Sequence, residues 1–327
     1  MRIAVIGAGA LGASVGARLA AAGGEVTLVD AWAAHVEAIR AHGLRALGVP
    51  RPVELRLPAT LPEDAPGGQD LALVTVDANA TADAARLAAR LLRVDGAALT
   101  LQNGIGNVET LVAALGADRV LGGSTMCSFQ TVAPGVVEQT NVALTTVGEL
   151  DGRMSVRILA LRDLLRAAGY PTEASPEIMA VIWHKLVVNI AINPICAITG
   201  LRMAELARLP ATDRYQDLLL AEALAVGRAK GLNLPEAALR EKIKAHCWDK
   251  YSRPSMLQHL EAGRRTEIGA LNGALVREAA ALGIPVPFNE AIAMLIEGRQ
   301  LHEQRRAQEP RPDYAALEAA AATEPRP

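Results

Sequence analysis

The first thirty residues, MRIAVIGAGALGASVGARLAAAGGEVTLVD, leave few folds open. Residues 2–6 and 25–30 are apolar, β-rich runs, and the stretch between them reads as a helix that stops at Gly23 and Gly24. Gly7, Gly9 and Gly12 stand in the G-x-G-x-x-G spacing, directly after the first strand and directly before the helix. In such a unit the first glycine allows a tight turn and the second lets backbone approach a pyrophosphate. The third lets the helix pack on the sheet. N–H groups at the helix start then face phosphate oxygens. Gly7, Ala8, Gly9, Ala10, Leu11 and Gly12 are therefore expected to cradle a dinucleotide, with a plain tight turn as the competing reading.

Asp30 closes the second strand, and no Arg or Lys follows it until Arg40. A carboxylate there accepts both ribose hydroxyls of NAD and repels the 2′-phosphate of NADP. The competing reading is a cap at the strand end.

Further strands are expected at 71–76, 97–101 and about 119–124, with helices at 80–93 and 106–115 between them. This alternation argues for a parallel sheet covered on both faces. Pro134-Gly135 is a type II turn signal between two strand-like runs, which predicts a hairpin finishing the sheet near 148. After a helix at about 152–169 the pattern changes. Ser175-Pro176 reads as an N-cap and a first-turn proline, and helices are expected at 176–198, 213–230, 235–246, 254–281 and 288–304. The last twenty residues read as a loosely held tail. The expected fold class is α/β: a doubly wound Rossmann sheet over residues 1–172, then an all-helical substrate and dimerisation domain over 173–327.

Composition excludes several classes. With 33 basic and 35 acidic residues the net charge is −2, so there is no basic excess for nucleic acid and no polybasic cluster for a membrane surface. Cys127, Cys196 and Cys247 lie far apart with no metal-ligand spacing, which fits a reducing cytoplasm and no metal. The N-terminus turns into glycines before any signal-peptide span is complete, and the apolar run from Leu186 to Leu201 is too short for a bilayer. A soluble, cytoplasmic protein is expected.

Chemistry concentrates in WHKLVVNIAINP, residues 183–194. Lys185, Asn189 and Asn193 recur every four residues and share one face of an otherwise apolar helix. A lysine at a cleft can act as general acid toward a ketone, and amides beside it can bind a small polar acid. Alternatively, Lys185 snorkels to solvent and the amides cap loops. Glu267 is expected midway along the long helix at 254–281, with Ser255 near its start; a solvated Glu and a terminal Ser are the bland account.

GAGALG, LQNG at 101–104, WHKLVVNIAINP, PSMLQ, GRRTEIGALNG and LGIPVPFN, in this order, resemble the ketopantoate reductase family over residues 1 to about 300. The resemblance implies a Rossmann domain, a helical domain, a cleft between them and a homodimer. It implies hydride transfer from NAD(P)H to the C2 carbonyl of a 2-oxo acid, ketopantoate first among them. By resemblance Lys185 matches the proton donor, Asn189, Asn193 and Ser255 the substrate-binding residues, and Asn103 a residue near nicotinamide and substrate. Glu267 matches a catalytic glutamate at the cofactor–substrate junction.

The departures carry their own expectations. The family mostly prefers NADPH and carries basic residues where this chain has Asp30 and Asp77. Each acid at about 4–6 Å would oppose a 2′-phosphate by on the order of 2–4 kcal/mol before screening. NAD(H) is therefore expected over NADP(H). His259, Gly269 and Met203 stand where polar or acidic anchors are frequent, leaving a more apolar substrate wall. That wall keeps a second reading open: an NAD-dependent D-2-hydroxyacid dehydrogenase acting on branched or aromatic 2-oxo acids.

Overall fold

The computed structural model describes residues 1–308 and 313–322. They form two compact units, one from Met1–Val188 with Val226–Leu234, the other from Asn189–Ala225 with Pro235 onward. The strands are β1 (Arg2–Ile6), β2 (Glu25–Val29), β3 (Leu44–Gly48), β4 (Val53–Leu55), β5 (Ala59–Thr60), β6 (Gln69–Val74), β7 (Leu92–Thr100), β8 (Val120–Thr125), β9 (Ser128–Ala133), β10 (Val136–Asn141), β11 (Thr145–Glu149) and β12 (Thr172–Ala174). With them in the first unit go α1 (Ala10–Ala21), α2 (Ala33–His42), α3 (Thr81–Leu91), α4 (Asn107–Leu115) and α5 (Val156–Ala167).

Among the described residues the main sheet has eight strands in the order β12-β11-β8-β7-β6-β1-β2-β5. Neighbours from β5 to β8 run parallel; β11 is antiparallel to β8 and carries β12 parallel to itself. Covered on both faces, β1 reads as an unbroken buried run from Ile3 to Ile6. Its side chains share a core with Leu28, Leu73 and Leu99 and with Ala13, Val15 and Leu19 of α1. The chain leaves β1 toward β2 on one side and returns to β6 on the other, so the order reverses between β1 and β6. In open α/β sheets ligands bind outside the carboxyl ends of strands at such a reversal.

The hairpin at Pro134-Gly135 exists, but it does not finish this sheet. β9 and β10 pair antiparallel in a separate four-stranded sheet of order β4-β3-β10-β9, with β10 parallel to β3. Val137 and Ala46 are fully buried there, whereas β9 is mostly exposed, so one face suffices to hold the small sheet. β11 then joins the main sheet near the expected position, and β12 forms its edge.

The remaining helices are α6 (Ile178–Thr199), α7 (Met203–Arg208), α8 (Pro210–Ala229), α9 (Glu236–Trp248), α10 (Ser255–Glu261), α11 (Asn272–Leu282), α12 (Pro287–Gln308) and α13 (Tyr314–Ala321). Ser175 Oγ accepts the Glu177 N–H at 3.1 Å, as an entry cap should, but regular helix begins at Ile178. α6 is long and apolar enough to cross a bilayer; 67 % of its apolar window is buried, as in a core helix. The single helix expected at 254–281 is two helices. Gly263, at φ 64°, ends α10, with its N–H on the Leu260 carbonyl and the Arg264 N–H on that of His259. This Schellman closure overrides an apolar periodicity that runs on through it.

The expected domain boundary at 172/173 falls inside β12, whereas the compact units divide inside α6, between Val188 and Asn189. Part of the expected tail, 309–312 and 323–327, lies outside the described residues. Within it α13 forms a short helix capped by Asp313, whose Oδ1 accepts the Ala315 and Ala316 N–H groups at 3.1 Å.

Candidate active site

The three glycines of the first loop meet three different surroundings. Gly7 has φ 94°, and a Cβ there would lie 2.5 Å from the Val76 nitrogen. At Gly12 a Cβ would lie 2.1 Å from the Gly7 carbonyl oxygen and 2.4 Å from Thr75 Oγ1. Around Gly9 there is nothing within 4 Å. Gly9 precedes α1, whose first turn no side chain caps. The loop is pinned at the reversal point, with the Gly7 N–H on the Val29 carbonyl at 2.8 Å and Thr75 Oγ1 on the Gly7 carbonyl at 2.7 Å. Open space over uncapped helical N–H groups is what an approaching pyrophosphate needs.

Asp30 follows β2 and sends its N–H to the Thr60 carbonyl. Its Oδ1 accepts the Trp32 N–H at 2.8 Å in a local turn, while α2, which follows Trp32, has no side-chain cap, so the helix-cap reading does not hold. Asp77 is similarly engaged, its Oδ1 accepting from Asn79 N at 3.0 Å and Asn79 Nδ2 at 2.6 Å. Sequence reasoning missed His35, which is fully buried and stacks on Trp32 at a centroid distance of 5.1 Å. Its Nδ1 accepts the Gly135 N–H at 3.1 Å, which requires the ring to be unprotonated at that atom. Burial pushes its pKa below the usual value, against the opposing pull of Asp30 and of the Ala8 backbone. Nothing in the local sequence marks it, because Gly135 is a hundred residues away.

Asn103 lies in the loop after β7, half-buried, with its carbonyl accepting from Asn107 Nδ2 at 2.8 Å. Gln102 beside it, given no role by sequence, sends Nε2 to the Val76 carbonyl at 3.0 Å and to Thr81 Oγ1 at 2.8 Å.

Lys185 is half-buried on α6, and its Nζ donates to the Thr125 carbonyl at 2.6 Å. Thr125 is the last residue of β8, so this ammonium stands at the carboxyl edge of the main sheet, the edge that also carries Gly7, Val76 and Asn103. It does not snorkel. Thr125 Oγ1 in turn accepts from Thr145 Oγ1 at 2.9 Å and from the Cys127 N–H at 3.2 Å.

The other expected residues belong to the second unit. Asn189, half-buried, and Asn193, buried, follow Lys185 by one and two turns along α6, and Pro194 sits inside the helix. Ser255 is the exposed first residue of α10. Glu267 is not in mid-helix: it precedes the 3-10 turn Ile268–Ala270, half-buried. Thr266 holds that bend, its N–H and Oγ1 both reaching Gln300 Oε1, at 2.6 and 2.9 Å. Met203 is buried at the start of α7, its sulfur accepting the Ser252 hydroxyl.

A Rossmann sheet with a phosphate-ready glycine loop, and an ammonium on the same edge, defines the class: a dinucleotide-dependent oxidoreductase fold. Comparison with known proteins narrows it. Residues 3–152 match the family described as ketopantoate reductase PanE/ApbA, and residues 177–300 match its C-terminal part. A 2-dehydropantoate 2-reductase of Archaeoglobus fulgidus is 37 % identical over 299 residues, covering 91 % of this chain and 97 % of its own. The ketopantoate reductase structure from Ralstonia eutropha JMP134 is 32 % identical with TM-score 0.85, covering 93 % of this chain and 100 % of that one. D-mandelate dehydrogenase with NADH and anilino(oxo)acetate superimposes with TM-score 0.86 at 27 % identity, covering 93 % and 99 %. The chain belongs to the ketopantoate reductase family.

Proposed function

We propose that the protein reduces the C2 carbonyl of a 2-oxo acid with NADH, 2-dehydropantoate going to pantoate, and that Lys185 is its proton donor. The observation that carries this reading is the Lys185 ammonium held by the Thr125 carbonyl at 2.6 Å, on the sheet edge that bears the glycine loop. Reduced nicotinamide, when bound, supplies a hydride. C2 takes that hydride while the Lys185 ammonium gives a proton to the carbonyl oxygen, making a secondary alcohol and leaving an amine that solvent reprotonates. The Thr125 carbonyl, as acceptor, keeps the ammonium aimed. Gly7, Ala8, Gly9, Ala10, Leu11 and Gly12 hold the pyrophosphate, and Asp30 takes the adenosine ribose with the carboxylate oxygen not used on Trp32. Asn189, Asn193 and Ser255 bind the substrate's carboxylate and hydroxyl, and Asn103 and Glu267 act where cofactor and substrate meet.

The second reading is an NAD-dependent D-2-hydroxyacid dehydrogenase acting on branched or aromatic 2-oxo acids. It is favoured by the likeness to D-mandelate dehydrogenase and by Gly269, around which a Cβ would meet nothing within 4 Å. We further propose a cytoplasmic homodimer.

Initial rates with both cofactors over a panel of 2-oxo acids test the readings together. Ketopantoate preferred at least tenfold ends the second reading; mandelate-type acids preferred by that margin end the first. Lys185→Ala should lose orders of magnitude in kcat while NADH affinity is kept. Unchanged turnover would remove Lys185 from the chemistry.

A further inference from the structure

Two loops leave the carboxyl ends of β6 and β7: residues 75–80, which carry Asp77, and residues 101–106, which carry Asn103. No strand ladder joins them beyond the Leu101 N–H on the Val74 carbonyl at 3.3 Å. A chain of side-chain hydrogen bonds does. Gln102 Nε2 reaches across to the Val76 carbonyl at 3.0 Å and to Thr81 Oγ1 at 2.8 Å. Thr81 Oγ1 lies 2.9 Å from the Ala78 carbonyl and 2.8 Å from Asn107 Oδ1, so its one proton serves either acceptor. Asn107 Nδ2 then returns to the Asn103 carbonyl at 2.8 Å. On the far side Gln102 Oε1 accepts from Thr100 Oγ1 at 3.0 Å, which fixes the amide's orientation.

Gln102 is 8 % exposed, Asn107 5 % and Thr81 4 %, so the web is closed to solvent. Thr81 and Asn107 are the first residues of α3 and α4, so the web joins the two loops where each runs into its helix. Loss of Gln102 would take a partner from the Val76 carbonyl and from Thr100 Oγ1, and loss of Thr81 one from Gln102 and from Asn107, so the web couples the two loops. The termini of the web are the informative part: one end is the backbone next to Asp77, the other the backbone of Asn103.

We infer that Gln102, Thr81 and Asn107 form a clasp of positioning residues that ties the loop taking the adenosine end of the cofactor to the loop presenting Asn103. The inference rests on the proposed reading of these two loops. Binding at one loop therefore orders the other, and loss of the clasp loosens Asn103 while the catalytic groups remain in place.

The test uses hydrogen exchange on the whole protein, with ADP as probe, because ADP supplies the adenosine and pyrophosphate and has no nicotinamide to touch Asn103. ADP is expected to slow exchange at 76–81 and at 101–107 together, and Gln102→Met with Thr81→Val, which cuts both the Gln102–Val76 and the Thr81–Asn107 ties, should confine the protection to 76–81. Protection of 76–81 alone in the unaltered protein overturns the clasp, as does a doubly substituted protein that still protects both. No protection of 76–81 overturns it as well, since the clasp presumes that loop takes adenosine. Should the double variant fail to fold, Thr81→Val alone should weaken the transmitted protection, and Thr81→Ser should keep it because it retains the hydroxyl; equal transmission in the two overturns the clasp. In an active enzyme Gln102→Met should lower kcat on the order of ten- to a hundredfold with NADH affinity changed far less. If the unaltered protein turns over no 2-oxo acid, the proposed reaction fails while the exchange experiment still decides the clasp.

Discussion

At the scale of single residues, His35 has the plainest solution consequence. Burial holds its pKa below the usual 6.5 against the opposing pull of Asp30 and the Ala8 backbone, and its Nδ1 accepts the Gly135 N–H. A group with a lowered basic pKa is held neutral by the fold. The stability it contributes is whole above the unfolded value and declines as pH falls through about 6.5 toward the folded value. Urea unfolding at pH 7.5 and 5.5 should show a loss on acidification that is smaller in His35→Leu; an identical loss in both proteins would refute the assignment. The acids make a separate prediction. Asp30→Ala with Asp77→Lys should move preference toward NADPH, read as the ratio of kcat/KM for the two cofactors, at a stability cost of about 1 kcal/mol for each lost bond, Asp77 to the Asn79 N–H and Asp30 to the Trp32 N–H. Lys185 was legible in sequence because an ammonium in an apolar helix is incongruous by itself. Thr125 was not, because its contribution is a backbone carbonyl sixty residues away, which any residue type supplies.

At the scale of elements, the glycine loop separates packing from binding. Gly9→Ala adds a methyl to open space in an extended conformation that alanine adopts, so thermal stability should hold while NADH affinity falls at least about tenfold. Gly12→Ala drives a methyl into the Gly7 carbonyl and should cost about 2 kcal/mol or more in unfolding. Equal effects of the two changes on stability would contradict the geometry. These elements were readable because strand, glycines and helix are contiguous. The break between α10 and α11 was not, since Gly263 interrupts a periodicity that continues on both sides. The small sheet was hidden for another reason: β4 has only three residues, and the partner that gives β3 its register, β10, is some ninety residues downstream.

At the scale of the whole molecule, α12 exposes four large apolar side chains in two rows, Phe288 with Leu295 and Met294 with Leu301. Exposed apolar rows of this kind suit a self-complementary contact. Sedimentation should give a dimer for the unaltered protein and a monomer for Met294→Asp with Leu295→Asp; a monomeric parent would end the proposed assembly. The division into units was the least legible property, because compactness depends on contacts that no local window contains. Val226–Leu234 belongs with the first unit, where Lys230 lies 5.7 Å from the ring centroid of Trp183 and Leu234 packs on Gly227. The polypeptide thus visits that unit, departs, and comes back before departing for good. No one scission yields either unit whole, and a gene-level exchange of one unit between relatives would need three crossovers, at 188/189, 225/226 and 234/235, rather than a single splice.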